Sequence, residues 1–381
     1  MNIKWPRIFS EKQNIEKQFI DVCTKQYLKC NIKIGLDREY PRITKIKNKS
    51  YYAIWNGGAS CLQSAWNDEK IVQGAGWVDP ITITESDEKL FFGKMVDIPW
   101  NEYKSGFIKK NKKIKKVNGN YVAFHTWWHD NYGHNLHDNL PYLLWLVSTV
   151  PSDYKILMLE SSIKKEIISN IDAKLYNRIK WIEIGDTIEI NGDLIVSTPD
   201  CHPCIMGKNF MKYFKNWIKQ NSIESFRKDV IFYSRRNTTN RRVLEKNNEK
   251  LVIKTIKELM LKHKIRGELV IFSGKDENND SLSVSEQIKI FKNADTIIGP
   301  HGTGLINMLY ANLDKVKILE FIPSCESASV QRPFNGYHNV LHGLEMNYNH
   351  ILYTDDSTIN ETKIKYKDLK NALNTMWGEI K

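Results

Sequence analysis

From residue 121 onward, hydrophobic and polar positions sort into short apolar runs and longer amphipathic ones. YVAF (121–124), YKILMLE (154–160), RIKWIEI (178–184) and DLIVS (193–197) have the length and composition of buried strands, whereas HNLHDNLPYLLWLVSTV (134–150) and SSIKKEIISNI (161–171) carry helical spacing. A lysine-rich amphipathic stretch at 206–223 then leads into a second alternation. There DVIFYSRR (229–236), ELVIFSG (268–274), TIIG (296–299) and VKILEFIP (316–323) are expected strands, with helices over 247–263, 283–295 and 304–312. Alternation at this spacing predicts an α/β fold with parallel sheets covered by helices on both faces, built as two Rossmann-like halves. The first hundred residues show only short strand-like runs, YYAIW (51–55) and KLFFGKMVDI (89–98), among Asn, Gly and Asp punctuation.

A chain of 381 residues exceeds what one core usually organises. Domains are expected at 1–215 and 216–345, with a tail at 346–381 packing back on the N-terminal domain. A hydrophobic content of 41% supplies packed cores and excludes disorder as the main state. The formal net charge of +12 favours anionic partners such as nucleotides, phospholipid or phosphorylated glycans. Seven lysines crowd KSGFIKKNKKIKK (104–116), a solvated loop first and a peripheral membrane contact through Lys104–Lys116 second. No run is apolar enough to span a membrane and the start lacks an apolar signal core, so a soluble, cytoplasmic chain is expected, with that lysine run as its route to a membrane surface. Six irregularly spaced cysteines do not form a disulfide framework, and CHPC (201–204) lacks the second pair of a zinc ribbon. No nucleic-acid-binding motif accompanies the positive charge, so nucleic acid is not an expected partner.

Candidate chemistry lies in three places. In GPHGTG, between an expected strand and an expected helix, Gly299, Gly302 and Gly304 permit a sharp turn and close approach to a ligand. The helix beginning near Thr303 is expected to aim free amides at phosphate, with His301 in the mouth and Asn307 one turn further on supporting the loop. Glu320 ends the next strand, where a carboxylate can accept from a ribose diol, and YSRRNTTNRR places Arg235, Arg236, Arg241 and Arg242 on the same edge. At least two of those four are expected to be ordinary solvated loop arginines, with Arg235 and Arg241 the candidates for diphosphate. Ser283 and Glu286 form a capping box, which leaves a contact from Glu286 or Gln287 to a donor sugar as a secondary role. The third place is HTWWHDNYGHNLHDNLP, where His134, His137 and Asp138 fall at i, i+3 and i+4 on one helical face. Such a group suits proton transfer and also has metal-ligand spacing. A metal-dependent hydrolase on His125, His129, His134, His137 and Asp138 is therefore one alternative, and a non-catalytic nucleotide- or glycan-binding module another.

HNLHDNLPYLL, SRRNTTNRRVLEKNNE, SVSEQIKIFKNADTIIGPHGTGLINMLY and ILEFIP, in this order, resemble glycosyltransferase family 61, which includes capsular polysaccharide biosynthesis proteins. The resemblance covers roughly residues 121–345, and IIGPHGTGLINMLY is its most specific part. It implies a GT-B fold, two Rossmann-like domains facing across a cleft. It also implies transfer of a sugar from UDP-xylose or UDP-N-acetylglucosamine to a glycan or glycolipid hydroxyl, with inversion to a β-linkage. An alanine often stands in the family where this chain has Thr303. On this reading Asp138 is the expected base, with His134 or His137 as assistant or substitute. Arg235, Arg241, His301 and the amides of Gly302, Thr303 and Gly304 hold the diphosphate, and Glu320 holds the ribose. Positive charge from arginine and a helix terminus makes a metal unnecessary, and no D-x-D motif stands out.

Overall fold

The computed structural model describes residues 114–124, 130–198, 214–217, 227–238, 242–323, 337, 346–353 and 361–378, together with seven short strands between residues 42 and 98. Among these the chain divides into two compact units, one within Arg38–Phe210 and one within Met211–Lys381.

The first unit holds the strands β1 (Tyr121–Phe124), β2 (Lys155–Leu159), β3 (Ile179–Ile182) and β4 (Leu194–Thr198) with the helices α1 (Leu140–Thr149) and α2 (Ser162–Ile171). Its parallel strands lie in the order β4, β1, β2, β3, and Arg42–Ile46 closes the β4 edge antiparallel. Read from β3, this is the 3-2-1-4 order of a Rossmann half, so strand order reverses between β1 and β4. Four buried positions in a row on β1 and on β2 (Ile156–Leu159) explain why these strands are continuously apolar instead of alternating. A second sheet of six strands runs Thr82–Thr84, Lys70–Gly74, Cys61–Trp66, Ser50–Asn56, Thr187–Asn191 and Ile114–Asn118. It is antiparallel except at its last pair. Within KLFFGKMVDI the described residues form two strands, Leu90–Phe91 and Asp97–Ile98, which pair with each other. Of the lysine run at 104–116, Ile114–Lys116 open a strand, with Lys115 on Asp186 at 2.8 Å and Lys116 near Glu189 at 3.8 Å. Residues 104–113, the CHPC sequence and most of 206–223 lie outside the described residues.

The second unit is built on β5 (Asp229–Tyr233), β6 (Leu269–Phe272), β7 (Ala294–Pro300), β8 (Lys317–Pro323) and β9 (Asn347–Tyr353). All pairs are parallel and the order is β6, β5, β7, β8, β9, which in chain sequence is 2-1-3-4-5. The reversal point of this doubly wound sheet falls between β5 and β7. Its helices are α3 (Lys246–Lys262), α4 (Val284–Phe291) and α5 (Tyr366–Gly378). Val252, Ile256 and Leu259 of α3 share one core with Leu369, Leu373 and Trp377 of α5, against Val230, Phe232, Leu319 and Phe321 of the sheet.

The tail at 346–381 therefore does not pack back on the N-terminal domain. It supplies the edge strand β9 and the helix α5, because that side of the sheet needs a second amphipathic helix beside α3. Trp377 is 2% exposed and donates its indole N–H to Thr296 Oγ1 at 3.1 Å, while Lys317 Nζ donates to the Met376 carbonyl at 2.8 Å. Trp377→Ala should cost about 3–5 kcal/mol, the range for truncating a buried aromatic. Denaturant unfolding of wild type and variant checks it.

Candidate functional site

The helical stretch after β1 opens with a single turn, Tyr132–His134, capped by Asn131, whose side chain accepts from His134 N at 3.1 Å. It continues as a π-turn over Asn135–Asn139, in which Leu140 N–H reaches back to the Asn135 carbonyl, before becoming α1. Pro141 accounts for the widening. In a regular helix its ring would press on the carbonyl four residues back, and it has no N–H to continue the ladder. The π-turn gathers three side chains. His134 Nδ1 lies 2.6 Å from Asp138 Oδ2, and His137 Nδ1 lies 2.5 Å from Asp138 Oδ1, the latter a close approach without hydrogen-bond alignment.

Two ring nitrogens facing one carboxylate must each carry a proton, which leaves Nε2 as the basic nitrogen of either ring. Burial would raise the Asp138 carboxyl, but His137 and His134 outweigh it and hold Asp138 below the usual carboxylate range. Asp138 therefore stabilises the fold above the ordinary aspartate range, and that contribution is lost as pH falls through its lowered value. The side chains of Asp138 and His137 are 3% and 5% exposed, against 24% for His134, so His134 is the member that solvent reaches. Ligand atoms of the three lie within 4.8 Å of one another, a grouping that a metal ion could use. The 2.6 Å separation of His134 Nδ1 and Asp138 Oδ2 is nevertheless that of a hydrogen bond, and both separations are shorter than the roughly 3.3–3.5 Å between ligands on a tetrahedral zinc with bonds of about 2.0–2.2 Å.

In the second unit the ends of β5, β7 and β8 gather cationic side chains around two tyrosines. Tyr233, the last residue of β5, accepts from Gly304 N at 3.3 Å and, at 3.4 Å, from Arg235 Nη1. Arg235 is 6% exposed, and its buried Nε has no partner among the described residues. The three glycines of GPHGTG make room for these side chains. A Cβ on Gly302 would stand 1.7 Å from Arg235 Nη1, one on Gly304 2.5 Å from the Tyr233 ring, and one on Gly299 2.8 Å from Tyr233 Cβ. After β5, Ser234 Oγ donates to Glu249 of α3 at 3.0 Å and Arg236 Nε meets the same oxygen at 2.8 Å, which fixes the backbone that carries Arg235.

Glu320 on β8 is fully buried and its carboxylate is engaged on both oxygens. His301 Nδ1 donates to Oε1 at 2.6 Å, while Tyr337 N and Tyr348 OH donate to Oε2 at 3.0 and 2.8 Å. Tyr337 also stacks on His301, with centroids 4.5 Å apart, and donates to the Gly302 carbonyl at 3.2 Å. Burial pushes the His301 imidazole below its usual value; the Glu320 contact opposes this, and Arg242 and Arg235 add to it. This favours neutral His301, whose Nδ1 keeps its proton and directs it to Glu320 Oε1.

Several sequence expectations change. The segment after Gly302 is not an α-helix with free amides but a 3-10 helix, Thr303–Tyr310. Gly304 N is taken by Tyr233 and Leu305 N by the Gly302 carbonyl. Thr303 is exposed, and Asn307 is buried and donates to Gln287 Oε1 at 2.6 Å, which ties the turn to α4. Glu286 closes the capping box with Ser283, both oxygen contacts at 2.8 Å or less, and the Ser283 hydroxyl lowers its carboxyl. Arg236 serves the scaffold. Arg241, His125 and His129 lie outside the described residues.

Sequence reasoning placed Arg242 on this edge without choosing it for the diphosphate, and it missed Tyr233, Glu249, Tyr337 and Tyr348. Arg242 has a left-handed φ of 76° and lies close enough to Arg235 and Glu320 to sense both. Burial first, and then Arg235, lowers its guanidinium from the usual value. The run of arginines marks Arg242 as a candidate, but no sequence pattern announces a tyrosine from a distant strand.

Doubly wound sheets take their ligands in the crevice at the reversal point, and here Arg235 is buried at that point with Arg242 close by. The family model described as Glycosyltransferase 61 matches residues 132–318, a span that contains the histidine and aspartate turn, Arg235, Arg242 and the glycine loop. These residues belong to glycosyltransferase family 61. No curated protein matches the chain.

Gly302→Ala should displace Arg235, because the new methyl occupies the place of its Nη1. Pyrophosphate affinity should fall at least about tenfold, while overpacking costs about 1–3 kcal/mol of stability. Calorimetry and thermal unfolding of the same variant separate the two effects.

Proposed function

We propose that the protein is an inverting glycosyltransferase of GT-B arrangement. It transfers a sugar of the xylose or N-acetylglucosamine class from a UDP donor to a hydroxyl of a glycan or glycolipid, forming a β-linkage. Arg235 carries the reading. A buried guanidinium whose Nε has no partner among the described residues is an incomplete ion pair, and a missing partner on such a group costs about 1–3 kcal/mol or more until an anion arrives. A diphosphate supplies that anion, and Arg242 adds a second positive group to the same pocket.

The acceptor oxygen bonds to the anomeric carbon from the face opposite UDP, and the bond from that carbon to the diphosphate breaks. The electron pair leaves with the diphosphate, whose developing charge Arg235 and Arg242 neutralise. The acceptor proton passes to His134 Nε2. Asp138, ionised and buried, holds the imidazole through Nδ1 and stabilises the imidazolium that forms. This gives His134 the role of base and makes Asp138 a positioning residue, since a carboxylate held below its ordinary range is a weak proton acceptor. In the same way Glu320 acts through His301, its oxygens being engaged, instead of binding ribose directly. Charge supplied by arginine makes donor binding independent of a metal.

The test is a panel of UDP-sugars with glycan acceptors, following release of UDP and the anomeric configuration of the product. A β-linked product is expected. His134→Ala should lower kcat by about 10²–10⁴, the usual contribution of a general base, with partial recovery on adding imidazole. Full activity of that variant, or turnover abolished by chelator, contradicts the assignment.

A further inference from the structure

The outer face of α3 presents lysines at 246, 250, 254, 257 and 262, all exposed. Glu258 is the single exposed acid on this helix, and it stands 3.8 Å from Lys254. Among these lysines sit two leucines that do not join the core: Leu251 is 42% exposed and Leu261 81%. Elsewhere the helix divides cleanly, with Val252, Ile256 and Leu259 packed against the sheet. Leucines left on the wet side are therefore not a failure of amphipathic spacing. Beside it α5 exposes Lys367 and Lys370 against Asp368, with Tyr366 43% exposed and Lys370 Nζ 5.6 Å from the Tyr366 ring centroid. The two helices lie side by side on one face of the sheet, linked by Asn248 Nδ2 to the Ile364 carbonyl at 2.9 Å and Lys262 Nζ to Asn374 Oδ1 at 3.0 Å.

We infer that the α3 and α5 layer docks on an anionic phospholipid surface. Lysine heads at this density are attracted by a negatively charged bilayer over about 8–10 Å at physiological salt. Leu251, Leu261 and Tyr366 have the apolar and interfacial character that enters the headgroup boundary once the charges have brought the layer close. A nucleic acid would satisfy the lysines but offers nothing to two isolated leucines, so the bilayer is the better complement. The lysine run at 104–116 is a poorer candidate, since its described lysines, Lys115 and Lys116, already face Asp186 and Glu189. The inference does not depend on the transferase reading.

The full chain should co-sediment with vesicles of phosphatidylcholine and phosphatidylglycerol and not with phosphatidylcholine alone. The triple variant Lys250→Glu, Lys254→Glu, Lys257→Glu should lose at least about tenfold in vesicle affinity. Leu251→Ser with Leu261→Ser should lose several-fold at unchanged net charge. All five positions are exposed, and an unchanged melting temperature confirms the fold of each variant. Equal binding by the triple variant, or none by wild type to anionic vesicles, overturns the proposal. So does binding to polyuridylate as tight as to vesicles, with the leucine variant indistinguishable from wild type.

Discussion

One guanidinium group, that of Arg235, and one carboxylate, that of Glu320, are buried where β5, β7 and β8 end, with the half-buried Arg242 close by, and that imbalance of charge organises the second unit. Glu320 is saturated by His301, Tyr337 and Tyr348, so it binds three separate segments to β8 and leaves little for the arginines. Among the described residues Arg235 in turn makes a long contact to Tyr233 and lies against Gly302. The glycines, the tyrosine and the Ser234–Glu249–Arg236 cluster all serve to keep a cation buried without a stoichiometric partner. Such an arrangement costs stability in isolation and is offset when an anion enters.

The first unit solves a different problem with the same economy of parts. Proline at 141 widens one helical turn, and the turn then lets two imidazoles share one carboxylate within five residues. The two imidazoles hold the buried Asp138 below the ordinary carboxylate range, and His134 is the ring that solvent reaches. The first unit thus holds an ionised carboxylate between two imidazoles, and the second a buried guanidinium beside a saturated carboxylate.

Much of this was legible in the sequence wherever local pattern determines the outcome. The apolar runs of β1, β2, β5, β7 and β8, the capping box at Ser283 and Glu286, and the grouping of His134, His137 and Asp138 all follow from spacing within a few residues. The six-stranded sheet was mostly hidden, because its hairpin strands between 50 and 84 join Ile114–Asn118 only through Thr187–Asn191, whose partner Ser50–Asn56 lies more than a hundred residues away. For the same reason the tail was assigned to the wrong unit: nothing within 346–381 reveals that β8 lacks a neighbour. Glycines at 299, 302 and 304 were read as clearance for phosphate when the nearest occupants are Tyr233 and Arg235. A glycine reports that something comes close, and only the fold says what.

The most direct test of the central claim, that the pocket around Arg235 awaits a nucleoside diphosphate, is calorimetric titration of the full chain with UDP in the presence of chelator, for wild type and Arg235→Gln. One-site binding by wild type that disappears in the variant is the predicted result. Failure of wild type to bind UDP, or binding that survives loss of the guanidinium, would contradict the account.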